Sequence, residues 1–324
     1  MNRTDTVIGV DIGGTNTVFG LVDQAGKVHH RHLVPTKRYP KPRELFSKIL
    51  DTILLRNRSS DDPFNIKGIG IGAPNANYYS KSIENPPNLP WGVVDVAGIV
   101  RSLIDIPLAL TNDANAAALG EMRFGAARGM KNFVEITLGT GLGSGIVING
   151  ELVYGHDGYA GEIGHTVVDI HGRQCGCGKK GCLETYCSAG GLCRTVHELL
   201  CNETAPSALR HITFADLTSK KVFDAACDGD FIAKMAFAKT GRILGQALAD
   251  TVAHLSPEAV VLFGGLAAAG EMILDPVKEH FEQSVFHVFR GNVRIIPSRL
   301  PADDSAILGA GALIWHEISS KDEN

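Results

Sequence analysis

The chain has 324 residues, 44% of them apolar and 20% charged, with 31 Lys+Arg against 35 Asp+Glu. That composition excludes a disordered or collagen-like chain, and a net charge of −4 argues against a general nucleic-acid binder, which displays a basic excess for phosphates. At about 100–200 residues per domain, the length allows two sizeable cores and fits small-molecule chemistry. The start, MNRTDTVIGVD, is interrupted by Asp5 and Asp11 and does not read as a signal peptide, and no run reaches the roughly 18 apolar residues of a membrane helix, so no membrane partner is expected. The seven cysteines, an odd number, all lie between Cys175 and Cys227, which suits a metal site in a reducing, cytoplasmic compartment better than a disulfide framework.

Taken in order, Val7 to Val10 and Val18 to Val22 predict two strands joined by the glycine turn of DIGGTN, with Ala25-Gly26 as the next turn. Arg43 to Leu55 carries Leu45, Phe46, Ile49, Leu50, Ile53 and Leu54 at helical spacing and predicts an amphipathic helix. A buried strand from Gly68 to Gly72 leads into a stretch from Ala73 to Trp91, too long for an ordinary connection, whose aromatic residues favour a functional loop. A helix near Val94 to Leu103, a strand at Leu108 to Leu110 and a helix from Asp113 to Phe124 follow. From Phe133 the opening repeats. FVEITLGTGLGSGIVI aligns with VIGVDIGGTNTVFGLV, Leu138 over Ile12 and Gly139 over Gly13, which predicts a duplicated α/β domain.

Glycine turns leave backbone N–H groups unobstructed, and successive N–H groups form a nest for phosphate oxygens; the alternative is two plain hairpin turns. Asp11 ends the first strand, where a carboxylate can hold Mg²⁺ directly or through water, while Thr15, Asn16 and Thr140 can donate side-chain hydrogen bonds. Gly176 to Gly181 spells G-x-G-x-x-G but follows no strand, so a Rossmann reading fails. His165, Cys175, Cys177 and Cys182 form a donor set for closed, structural Zn²⁺, with His171 as a rival fourth ligand. Glu162 and Glu184 flank this cluster, either as acceptors for a polyol's hydroxyls or as surface glutamates. Asn112-Asp113 opens a helix, either as a cap or as a general base whose carboxylate form the helix N-terminus favours, at some loss of basicity. Gly264-Gly265, after the strand Ala259 to Phe263, allows either close approach of a base or ribose or close helix packing, whereas Gly309 and Gly311 in AILGAGALIW read as packing positions.

Together DIGGTN, NDANAAALGE, LGTGLGSGIVING, GYAGEIGH and CGCGKKGCLE resemble the ROK family (repressor, open reading frame, kinase), in particular its bacterial glucokinases, in order from Asp11 to Gly265. The resemblance implies a two-domain actin-like ATPase (ribonuclease H-like) fold with duplicated domains and an interdomain cleft. The expected domains are residues 1–112 plus about 306–324, and 113–305 with the zinc loop. It implies transfer of the γ-phosphate of ATP to the 6-hydroxyl of glucose, with N-acetylglucosamine, N-acetylmannosamine, fructose or mannose as alternative acceptors and a non-catalytic sugar sensor as a further one. By resemblance Asp113 is the base, and Asn88, Asn112, Glu162, His165 and Glu184 are sugar ligands, His165 also binding Zn²⁺ through its other nitrogen. Asp11, Gly13, Gly14, Thr15, Asn16, Thr140, Gly141, Gly264 and Gly265 belong to the ATP-Mg²⁺ side. The family's repressors carry a helix-turn-helix ahead of the first turn; about ten residues precede Asp11 here, so no nucleic-acid role is expected. A homodimer or higher homo-oligomer is the family's expectation.

Overall fold

A computed structural model describes residues 3–59 and 63–322, which form two compact units: the described residues up to 129 with 152–160 and 299–322, and residues 130–151 with 161–298. In the first, β-branched residues on either side of the glycine turn make strands β1 (Asp5–Ile12) and β2 (Asn16–Asp23). Strand β3 (Val28–Pro35), helix α1 (Pro42–Arg58) and strand β4 (Asn65–Gly72) follow. Short strands β5 (Ala76–Asn77), β6 (Ser82–Glu84) and β7 (Val93–Asp95) make a separate sheet; helix α2 (Val96–Arg101), strand β8 (Leu108–Thr111) and helix α3 (Asp113–Phe124) complete the run. The main sheet runs β3-β2-β1-β4-β8, with β2 antiparallel to its neighbours β1 and β3, and with β4 and β8 parallel to β1. The apolar stripe of α1, Leu45, Phe46, Ile49 and Ile53, is buried with Ile8, Val10, Phe19, Leu21, Ile69 and Ile71 of the sheet.

The second unit repeats the plan. Strands β9 (Phe133–Leu138), β10 (Leu142–Ile148) and β11 (Glu151–Leu152) are followed by helices α4 (Glu184–Cys187), α5 (Ala189–Asn202), α6 (Ser219–Cys227) and α7 (Phe231–Leu255). Strand β12 (Ala259–Phe263), helix α8 (Glu271–Ser284) and strand β13 (Arg294–Pro297) close it. The sheet order β11-β10-β9-β12-β13, with β10 antiparallel and β12 parallel to β9, places each strand where its counterpart lies in the first unit, so the predicted duplication is a duplication of topology.

Two expectations change. Helix α3, expected to open the second domain, packs instead in the first unit, against the C-terminal helix Ser305–Asp322. The contact needs bare backbone: a Cβ on Gly309 would lie 2.7 Å from the Ala116 carbonyl, so the helices meet closer than any side chain permits. The long stretch from Ala73 to Trp91 is neither disordered nor wholly a ligand loop. Its tyrosines hold the segment 152–160: Tyr78 stacks on Tyr154 at 3.8 Å and 10°, the Tyr79 hydroxyl donates to the Gly155 carbonyl, and Asn77 Nδ2 donates to the Asp157 carbonyl. Trp91 is buried, and only part of the stretch, including Asn88, stays exposed. No helix among the described residues is long and apolar enough to cross a membrane.

Candidate active site

Each unit brings a glycine turn to the end of its first strand, and in each the first glycine closes the turn with its N–H, the second turn being one residue tighter. The Gly13 N–H donates to the Asn16 carbonyl at 3.0 Å, and the Gly139 N–H donates to the Gly141 carbonyl at 3.0 Å. Among the described residues, the N–H groups of Gly14 and Thr15 and those of Thr140 and Gly141 make no hydrogen bond within the protein. Two successive free donors on an exposed turn are what an anion nest consists of. The side chains of Thr15, Asn16 and Thr140 are exposed alongside. Gly14 has a second role: a Cβ there would lie 2.5 Å from the Asn88 Cβ, so Asn88 packs on the turn itself.

Asp11 ends β1 beside Gly72, where a side chain would come within 3.5 Å of Asp11 Oδ1 and 3.7 Å of the Asp113 Cα. Burial pushes the Asp11 pKa up to about 7, and the negative charge of Asp113 adds to it. A hard, oxygen-seeking cation fits a carboxylate held this way, because it supplies the charge that its surroundings withhold. The raised value has a thermodynamic sign. Because the folded state holds its proton more tightly than the unfolded chain, stability is lost as pH rises from about 4 through about 7. Asp11→Asn is therefore expected to stabilise the metal-free protein at pH 8 by about 1 kcal/mol, roughly 2–4 °C in melting temperature, and to give no gain at pH 4. Scanning calorimetry at the two pH values checks it; a variant less stable at pH 8 contradicts the assignment.

At the start of α3, Asn112 is the helix cap, its Oδ1 accepting the Asn115 N–H at 2.7 Å, and Asp113 is the first helical residue. Capping thus takes Asn112 Oδ1, leaving its amide nitrogen for other partners. Asp113 is accessible to solvent at one edge while protein surrounds it densely on its other sides. Its pKa is pushed up by burial, with the Ala114 N–H, which donates to Oδ1 at 2.9 Å, pulling the other way. The helix N-terminus is expected to make this carboxylate a weaker base; the protein packed around it outweighs that effect.

In the second unit Glu162, His165 and Glu184 are placed by the cysteine loop. The ligand atoms of His165, Cys175, Cys177 and Cys182 all lie within 4.8 Å of one another. Cys177 Sγ and Cys182 Sγ are 3.7 Å apart, as are Cys175 Sγ and His165 Nδ1. Zn–S bonds of about 2.3 Å at tetrahedral angles separate sulfurs by about 3.8 Å, the separation of the Cys177–Cys182 pair, so the donor set fits Zn²⁺ in kind and spacing. His171 is not in this group. His165 turns Nδ1 to the thiols and Nε2 toward Glu162, whose Oε2 is 4.0 Å away, leaving one imidazole nitrogen on each side. Arg173, unforeseen from the sequence, pins the loop to α5 through a two-pronged ion pair with Glu198 at 2.7 Å and bonds to the Thr185 and Gly191 carbonyls.

A second feature is visible only in three dimensions. Glu184 Oε2 accepts the Leu142 N–H at 3.0 Å, and a Cβ on Gly141 would lie 2.5 Å from it, so the cysteine loop and the second glycine turn share this carboxylate. That turn is also held from behind, where the Leu266 N–H, just past Gly264-Gly265, donates to the Leu138 carbonyl at 3.1 Å.

Comparison with known proteins agrees with this arrangement. The sequence profile of the ROK family matches residues 7–317. The chain is 35% identical to a glucokinase of Halalkalibacterium halodurans over 98% of this chain and 97% of that one. It is 35% identical to a glucokinase of Thermotoga maritima over 96% and 98%. A crystal structure of a ROK family glucokinase from Streptomyces griseus, in complex with glucose and AMPPNP, superposes with a TM-score of 0.79 at 32% identity, covering 95% of this chain and 98% of that one. The chain belongs to the ROK family and has the actin-like ATPase fold of its sugar kinases.

Proposed function

We propose that the protein is a glucokinase, transferring the γ-phosphate of ATP to the 6-hydroxyl of glucose. The observation that carries the reading is the repeated turn with two free N–H groups in each unit, each an anion nest built from main chain and suited to phosphate oxygens. The full-length likeness to glucokinases supplies the acceptor. Asp113 takes the proton of the attacking hydroxyl. In a loose phosphoryl-transfer transition state that proton leaves late, so a carboxylate suffices, and one with a raised pKa is the better acceptor. Asn88, Asn112, Glu162, His165 Nε2 and Glu184 hold the sugar's hydroxyls, and charge-assisted bonds from the carboxylates fix its orientation. Gly13, Gly14, Thr15, Asn16, Thr140, Gly141, Gly264 and Gly265 take the nucleotide.

Asp11 would hold Mg²⁺, which would supply charge neutralisation for the transferring phosphoryl group. Asp11→Asn, though more stable, loses turnover for that reason. Zn²⁺ in the His165, Cys175, Cys177 and Cys182 set is structural, since four protein ligands leave no open position. An assay of ADP release over glucose, mannose, fructose, N-acetylglucosamine and N-acetylmannosamine tests the proposal. Glucose is expected to give the highest kcat/KM. A different preferred hexose replaces the substrate, and no turnover on any of them leaves a sugar sensor.

A further inference from the structure

The first glycine turn is held from behind by a residue that never reaches its outer face. Thr36 follows β3 and is only 1% exposed, too deeply enclosed to meet a ligand. Its backbone N–H donates to the Thr15 carbonyl at 2.9 Å. Its hydroxyl donates to the Gly13 carbonyl at 2.8 Å and lies 2.9 Å from the hydroxyl of Thr17, itself fully buried. A hydroxyl has one proton, so with that proton on Gly13 the Thr17 hydroxyl must be the donor to Thr36, and the two threonines form a directed chain ending on the turn. The carbonyls of Gly13 and Thr15 are thereby both turned inward onto Thr36. The captured Gly13 carbonyl shares its planar peptide with the Gly14 N–H, which therefore points the opposite way, and the Thr15 N–H lies on the next peptide, between the two held carbonyls; neither N–H has a partner within the protein. In the second unit the corresponding carbonyl, that of Gly139, is held by the backbone N–H of Ala189 at 2.9 Å, so there the same task falls to a helix N-terminus and needs no particular side chain.

We propose that Thr36 is a positioning residue for ATP: it captures two carbonyls of the first glycine turn so that the turn's amides face the phosphates. This rests on the reading of the turns as the nucleotide grip. Valine has the same shape but no hydroxyl, so Thr36→Val leaves the Gly13 carbonyl and the Thr17 hydroxyl buried and unpaired and lets the turn rotate. The expected result is a KM for ATP raised about tenfold and an equal loss of AMPPNP affinity by calorimetry, with the KM for glucose changed less than about twofold. Thr36→Ser keeps the hydroxyl and is expected to restore the ATP constants. A role confined to stability would lower the melting temperature and leave the ATP-against-glucose split unmoved, which overturns the proposal, as does an equal rise in both KM values. Should Thr36→Val not fold, Thr36→Ala, which adds no bulk, is read by the same split. If the wild type turns over no hexose, the kinase reading fails separately, and AMPPNP affinity across the same variants still decides the role of Thr36.

Discussion

Asp113→Asn is expected to lower kcat by about 10³-fold while the KM for glucose stays within about threefold and the melting temperature does not fall. The substitution is nearly isosteric. Its Oδ1 can still accept the Ala114 N–H, and Asn112, not residue 113, caps the helix, so α3 keeps its start. What disappears is the group proposed to receive the hydroxyl proton. The substitution also removes a negative charge near Asp11, whose pKa then falls, so Asp11 is more fully ionised at neutral pH. The wild type should show kcat falling at acid pH, because the base must be ionised and burial lifts the pH at which it becomes so. Steady-state kinetics across pH with calorimetry for glucose binding decides the matter. An Asn variant that retains a tenth or more of the wild-type kcat removes Asp113 from the role of base.

The second large effect concerns the cysteine loop. Removing Zn²⁺ with a chelator, or Cys177→Ser, is expected to raise the KM for glucose by about tenfold and the KM for ATP by less. Cys177 is exposed, so the substitution costs little packing and reports on the metal. Glu184 lies two residues beyond Cys182, and His165 belongs to the donor set itself, so an ion bound there would fix the side chains proposed to hold the sugar. Without it, the loop keeps its Arg173 anchor and its main-chain bonds, among them Val168 to Gly181, Gly181 to Arg173 and Leu183 to Thr166, but loses the tie that joins His165 to the three thiols. The smaller effect on ATP follows from the Glu184 bond to Leu142, through which a displaced loop disturbs the second turn. One zinc per chain by atomic absorption in the wild type is part of the expectation. A zinc-free protein with an unchanged glucose KM refutes it.

Much was legible in the residues alone because it is local. Valine and isoleucine around a glycine turn make β1 and β2 wherever they occur, the spacing of Leu45, Phe46, Ile49 and Ile53 makes α1, and the repeat at Phe133 announces a second copy. The cysteine cluster was equally plain, since its ligands lie within 18 positions of one another and glycines between them permit the tight turns. Tertiary structure alone decided what depends on contacts across long stretches of chain. Thr36 meets Gly13 over 23 positions, Leu142 meets Glu184 over 42, and Asn77 meets Asp157 over 80, and no periodicity records such pairs. The unit to which α3 belongs was set by how closely Gly309 lets two helices approach, and the basicity of Asp113 by the protein packed around it. Local propensity is a property of neighbours along the chain, whereas burial, and every pKa and hydrogen bond that follows from it, is a property of neighbours in space.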